Sequence, residues 1–174
     1  RANWFRNLHS LRLMERLRDP MLVALARLPP FPNLRTLDLS DNTFGYKGLS
    51  RLVTSKAFPN LVELDLSRTS MVGDDAAALA RAKWRLAVLT LRACGFGDWG
   101  PQAFASSRLL EGVRVLDLAT NGIGPKGVKA LADSPRCAAL RHLDLGYNLL
   151  GKGGLMALAR GKRLRGLTRL TLSA

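Results

Sequence analysis

Four aspartates recur in one setting, with a leucine on each side: TLDLS around Asp38, ELDLS around Asp65, VLDLA around Asp117 and HLDLG around Asp144. Carboxylates repeated this regularly invite three chemistries. A close pair can share a proton in acid–base catalysis, hold a cation, or contact a partner from an open surface. The first two need burial or further ligands, so the choice depends on where the flanking leucines point. Other chemistry-bearing residues are few. Cys94 and Cys137 are too few for a disulfide framework and lack metal-ligand spacing with His9 or His142. No Ser/His/Asp set, HExxH or phosphate-loop motif occurs. No cofactor or metal is therefore expected, and a non-catalytic protein is. A reducing, cytoplasmic compartment follows from the cysteine usage, with a secreted effector as the alternative.

The elements that must position these residues come from a repeat. LRTLDLSDN from 34, LVELDLSRT from 61, LAVLTLRAC from 86, VRVLDLATN from 113 and LRHLDLGYN from 140 start 27, 25, 27 and 27 residues apart. A degenerate copy, LHSLRLMER from 8, precedes them, and LTRLTLSA from 167 follows. The period-2 LxL core predicts short strands near 10–14, 36–40, 63–67, 88–92, 115–119, 142–146 and 169–173, with leucines on one face. Leu143 and Leu145 then face the core and Asp144 faces away. Between strands the apolar spacing turns helical, as at Val128, Leu131 and Ala132. Asp19-Pro20, Asp74-Asp75, Gly100-Pro101 and Gly124-Pro125 mark helix starts. The Asn ending each copy (Asn42, Asn121, Asn148) is expected to bond backbone groups where the chain turns inward. Thr69 and Cys94 take its place in two repeats, making Cys94 a structural residue rather than a nucleophile.

This LxxLxLxxN pattern, followed by N-x-apolar-G-x-x-G in NTFGYKG, NGIGPKG and NLLGKGG, resembles the leucine-rich repeat family. It is most similar to the helix-containing, ribonuclease-inhibitor-like subclass and to repeats of bacterial proteins. The resemblance implies one α/β solenoid over residues 1–174, with about six complete repeats, a parallel sheet on the concave face and helices on the convex face. It also implies protein binding through the concave face. The first copy has Arg16 in place of Asn, and with Trp4 and Phe5 it is expected to cap the N-terminal end. The last strand has no cap after it, which predicts either further chain or pairing with another copy. The chain opens with Arg1 rather than Met, so a fragment of a longer protein is expected.

The outward strand positions and the adjoining loops supply the candidate partner-binding residues: Asp38, Glu63, Asp65, Arg92, Asp117, His142 and Asp144, with Trp99 and Tyr147 on the strand-to-helix rim. Similar repeats assist catalysis in GTPase-activating proteins, and Arg92 is the best-placed arginine for such a role; the simpler reading is an ion pair with Asp65 or Asp117. Of 27 Lys+Arg and 13 Asp+Glu, seven of each fall on the strand face, so the net charge of +14 lies elsewhere. Much of it gathers before each strand, at Arg27, Lys56, Arg81, Lys83, Arg85, Arg108 and Arg136, then at Arg160, Lys162, Arg163 and Arg165. Nucleic acid or an acidic lipid surface on this basic edge is the alternative function, and helix-dipole complementation is its structural counterpart. A structural repeat spacer is the third reading. Apolar runs such as MLVALA are far short of the roughly 20 residues a membrane span needs.

Overall fold

The computed structural model describes residues 4–14, 17–71 and 73–173. Among them, seven strands form one parallel sheet in chain order. They are β1 (Ser10–Arg12), β2 (Thr36–Asp38), β3 (Glu63–Asp65), β4 (Val88–Thr90), β5 (Val115–Asp117), β6 (His142–Asp144) and β7 (Arg169–Thr171). Six α-helices alternate with them: α1 (Asp19–Ala26), α2 (Tyr46–Val53), α3 (Asp74–Ala80), α4 (Trp99–Ser106), α5 (Pro125–Asp133) and α6 (Gly151–Arg160). Short 3-10 turns stand at Trp4–Asn7, Arg108–Leu110 and Pro135–Cys137. The chain is an α/β leucine-rich repeat solenoid.

The register follows the repeat, with Leu37, Leu64, Leu89, Leu116 and Leu143 paired in one row across the sheet. All five are buried beneath it, together with a second row at Leu39, Leu66, Leu91, Leu118 and Leu145. Helix residues Leu22, Leu49, Leu52, Leu79, Val128 and Leu131 close the core from the other side. At about 1.5–3 kcal/mol per buried leucine this layer is the main favourable term, and each row is complete only when neighbours stack. The N-terminal end carries Phe5, whose ring meets Phe31 edge-on at 5.5 Å, and Phe31 stacks on Phe58 at 5.7 Å. That supports the expected cap at Phe5, whereas Arg16 lies outside the described residues, as does the side chain of Trp4.

Two details depart from expectation. The strands are three residues long rather than five, and four of them end in an aspartate that bends the chain. In β2, β3, β5 and β6 its Oδ1 accepts the backbone N–H two residues on, from Ser40 (3.0 Å), Ser67 (2.8 Å), Ala119 (2.9 Å) and Gly146 (2.8 Å). This is an Asx turn. Asp19, expected to cap α1, instead reaches the next repeat, where its Oδ1 accepts N–H groups of Gly45 (2.8 Å) and Gly48 (3.0 Å) at the start of α2.

The inner turn is held by the expected asparagines. Asn121 donates to the carbonyls of Leu91, Leu118 and Ala119 and accepts the N–H groups of Cys94 and Gly95. Asn42 and Asn148 repeat the arrangement. At Thr69 and Cys94 a single donor serves, in both cases to the Leu66 carbonyl. Burial pushes both thiols up, that of Cys137 to about 12, which fits structural roles. Asn121→Ala strands several buried backbone groups, each worth about 1–3 kcal/mol, and is expected to cost about 3 kcal/mol or more. Urea denaturation checks this; a loss below about 1 kcal/mol would remove the staple role.

Candidate functional site

The leucine rows turn the expected acidic column outward. Asp38 stands beside Asp65, and Asp117 beside Asp144, as strand neighbours in register. All four are half-buried. Their Oδ1 atoms are committed to the Asx turns, which leaves Oδ2 for outside contacts. In Asp38 that oxygen meets Arg12 Nε at 2.7 Å. Its Oδ1 also accepts the Ser40 hydroxyl at 2.7 Å.

The C-terminal half of the face holds a small hollow of about 190 Å³, lined by Asp117, His142 and Asp144 with Arg169 and Thr171 at its side. That is below the usual small-ligand range of roughly 300–1,000 Å³ and suits one inserted side chain. Burial pushes the Asp117 carboxyl above its ordinary value, the Ala119 N–H opposes this, and the neighbouring Asp144 charge adds to it. Arg92 lies close enough for its charge to oppose the rise. It forms no ion pair within 4.0 Å, however: among the described residues these are Arg12–Asp38, Arg68–Asp41, Lys129–Asp133 and Arg136–Glu111. The expected pair of Arg92 with Asp65 or Asp117 is thus replaced by a looser charge contact. Glu63 is exposed on β3, where its carboxylate accepts the Thr36 hydroxyl at 3.2 Å.

The rim carries the large apolar groups. Trp99, at the start of α4, is 74% exposed, so it does not pack on the next repeat's loop. Tyr147 is 57% and Leu149 72% exposed beyond β6. Leu149 was not among the sequence candidates; it holds the variable position of the N-x-apolar-G motif, where Thr43 and Gly122 stand in other repeats. Asp98, beside Trp99, has a structural task that sequence reading missed. Its Oδ1 accepts the N–H groups of Gly124 (2.8 Å) and Gly127 (2.7 Å), capping α5 from the preceding repeat. A Cβ at Gly127 would stand 2.7 Å from that oxygen, which accounts for the glycine. The rim also holds the Asp41–Arg68 pair, in which the bonded guanidinium keeps the Asp41 carboxyl below its ordinary value.

No group of three or more potential metal-ligating side chains occurs among the described residues. The Asp column lies on an open face with one shallow recess. Because the folded-state pKa of Asp117 is raised, its ionised form is a net cost to the native state at neutral pH, and that cost disappears as the proton returns. Asp117→Asn keeps an oxygen for the Ala119 N–H and removes the charge. It is expected to raise stability at pH 7, with the gain fading as pH falls through the carboxylate range and absent below the unfolded value near 3.8. Urea unfolding at neutral and acid pH measures this; a neutral-pH loss, or a gain that persists in acid, would contradict it.

Comparison with known proteins agrees with this geometry. The leucine-rich repeat family model matches residues 32–53, 113–132 and 136–159. No curated protein sequence matches the chain. Among solved structures, a chain in the crystal structure of the yeast Rad7 and Elc1 complex superposes with a TM-score of 0.61 at 17% identity. The match covers 90% of this chain and 39% of that one, so this chain spans well under half of its structural neighbour. Three of its segments are leucine-rich repeats by sequence, and the whole described chain is folded as a solenoid of such repeats.

Proposed function

We propose that the chain is a non-catalytic protein-recognition module that grips its partner with the concave strand face and the adjoining rim. The carrying observation is the hollow between Asp117, His142 and Asp144. It offers two unshared carboxylate oxygens to one inserted basic side chain, next to a rim where Trp99 and Tyr147 stand exposed. Large aromatics with a polar handle gain most when a partner buries them. Asp38, Glu63, Asp65 and Arg92 extend the contact toward the N-terminal half. The helix in each complete repeat supports the ribonuclease-inhibitor-like subclass, the repeat consensus supports a bacterial-type protein, and the two free cysteines support a reducing, cytoplasmic setting. The yeast neighbour comes from a two-protein complex, which suits an assembly role for the fold; its likeness carries no partner to this chain. No helix among the described residues is long and apolar enough to cross a membrane.

A second reading concerns the end of the sheet. Among the described residues β7 pairs only with β6, and Leu155, Met156, Leu170 and Leu172 around it are 39–51% exposed. We propose that a second copy of the chain covers this end. Light scattering across a concentration series is expected to show a dimer that Leu170→Glu dissolves; a monomer at all concentrations would end the idea.

The recognition face is tested by proximity capture with the wild type and with a combined Trp99→Ala, Asp117→Ala and Asp144→Ala variant. Recovery of the specific partner is expected to fall at least about tenfold, as hot-spot truncations do. Equal recovery by both proteins would overturn the concave-face reading.

A further inference from the structure

The opposite edge of the sheet contains a feature that concave-face recognition does not use. The repeat beginning at Leu61 is two residues shorter than its neighbours. Its helix α3 is seven residues long, and no 3-10 turn follows it, unlike α4 and α5. The segment after α3, RAKWR, runs alternately in and out: Ala82 and Trp84 are buried, while Arg81, Lys83 and Arg85 are exposed. In the two preceding repeats the residue just before the strand leucine is an asparagine, which staples to the repeat behind it. Asn33 donates to the Arg6 carbonyl and Asn60 to the Pro32 carbonyl, each at 2.8 Å. Arg85 occupies that place in the next copy, and the row of staples stops there.

The thin segment leaves a cleft on each side. One, of about 740 Å³, lies between 80–85 and the turn at 108–112; the other, of about 650 Å³, lies between 83–85 and 53–62. They share Lys83, Trp84 and Arg85 as a common wall. Their rims carry six cations, Arg35, Lys56, Arg81, Lys83, Arg85 and Arg108. Glu111 is the one acid among the described lining residues, and it is already paired with Arg136. None of the six cations is in an ion pair among the described residues. Helix-dipole complementation accounts for Arg81, the C-cap of α3, but Arg35, Lys83 and Arg85 stand at no α-helix end.

We propose that this double cleft binds an extended acidic peptide segment with apolar residues between its acids. Cations at every second residue repeat about every 6.4–6.8 Å, the spacing of same-side groups on an extended peptide. The floor formed by Ala80, Ala82 and Trp84 receives apolar side chains. Single-stranded nucleic acid fits less well, because base binding needs exposed aromatic faces. Here Trp84 is 9% and Phe58 1% exposed. A membrane surface would meet cations on a convex patch, whereas these rim two recesses.

The test is fluorescence anisotropy at near-physiological salt with a labelled peptide of alternating glutamate and leucine. The comparison probes are the same peptide with serine for leucine and an oligouridylate of equal charge. Lys83→Glu with Arg85→Glu is expected to weaken peptide binding about tenfold or more, as loss of two desolvated charge contacts does. Lys47→Glu with Arg51→Glu, an equal charge change on exposed α2 residues outside the clefts, is expected to change it by less than about threefold. The serine peptide is expected to bind at least about fivefold more weakly than the leucine peptide, from lost apolar burial. Equal losses in the two double variants would reduce the effect to net charge and overturn the proposal. So would oligouridylate binding as tightly as the leucine peptide, or no peptide binding at all.

Discussion

Everything in this molecule depends on a buried amide that satisfies backbone groups its own repeat cannot. The chain turns inward just after each strand, and that turn is too tight for its carbonyls and N–H groups to pair among themselves. Asn121 bonds carbonyls just beyond β4 and β5 while accepting N–H groups from the preceding repeat. Asn148 does the same for the N–H groups of Asn121 and Ile123. Each staple is therefore itself held by the next, and leucine burial follows the same nearest-neighbour logic. The inner row weakens at Thr69 and Cys94, and the outer row of asparagines ends after Asn60. Both rows thin out around the short repeat, which leaves the join between β3 and β4 with the Cys94 thiol in place of an asparagine staple.

The acidic column is a consequence of how the strands end. Each of the four aspartates uses one carboxylate oxygen to start a turn, and three residues on the chain passes through the left-handed region. Asp41, Arg68, Thr120 and Tyr147 have φ between 55° and 59°, and Ala93, three residues after Thr90, follows the same path at 54° without an aspartate. A non-glycine residue there costs on the order of 1 kcal/mol. The cost is offset because each N–H reaches the following repeat, as in Asp41 to the Ser67 carbonyl and Thr120 to the Gly146 carbonyl, both at 2.9 Å. Turn chemistry thus sets which carboxylate oxygens face outward. A repeated acid is no sign of catalysis when half of it is spent on its own backbone.

Strand positions, register, the leucine rows and the asparagine staples were legible in the sequence because each obeys a short period. Strand length was not, since an Asp between leucines reads as a solvent-facing strand residue until its i+2 N–H is located. The helix cap at Asp19 was misread, and the one at Asp98 missed, for a different reason. Local rules assign Asp19 to α1 and give Asp98 no distant partner, yet the groups they bond are 26 and 29 residues further on. Stacking brings those partners closer than the neighbouring turn of their own helix. The cleft at Trp84 had a sequence signal, the 25-residue spacing amid 27s. What that spacing shortens, the segment between α3 and β4, becomes visible only against the two following repeats, where a 3-10 turn stands at that place.

The charge distribution decides how the two surfaces differ as binding sites. The strand face is balanced, and the excess of +14 lies off it. Exposed charges are screened beyond about 8–10 Å at physiological salt, so close encounters feel the local surface rather than the total. At longer range and lower salt the net field draws acidic partners and repels basic ones. An acidic segment approaching the double cleft is steered toward it. A basic side chain entering between Asp117 and Asp144 moves against the overall field and gains only at contact. The proposed recognition on the concave side would therefore draw on buried area at Trp99, Tyr147 and Leu149 as well as on the carboxylates. Raising salt weakens the first kind of binding while sparing or favouring the second.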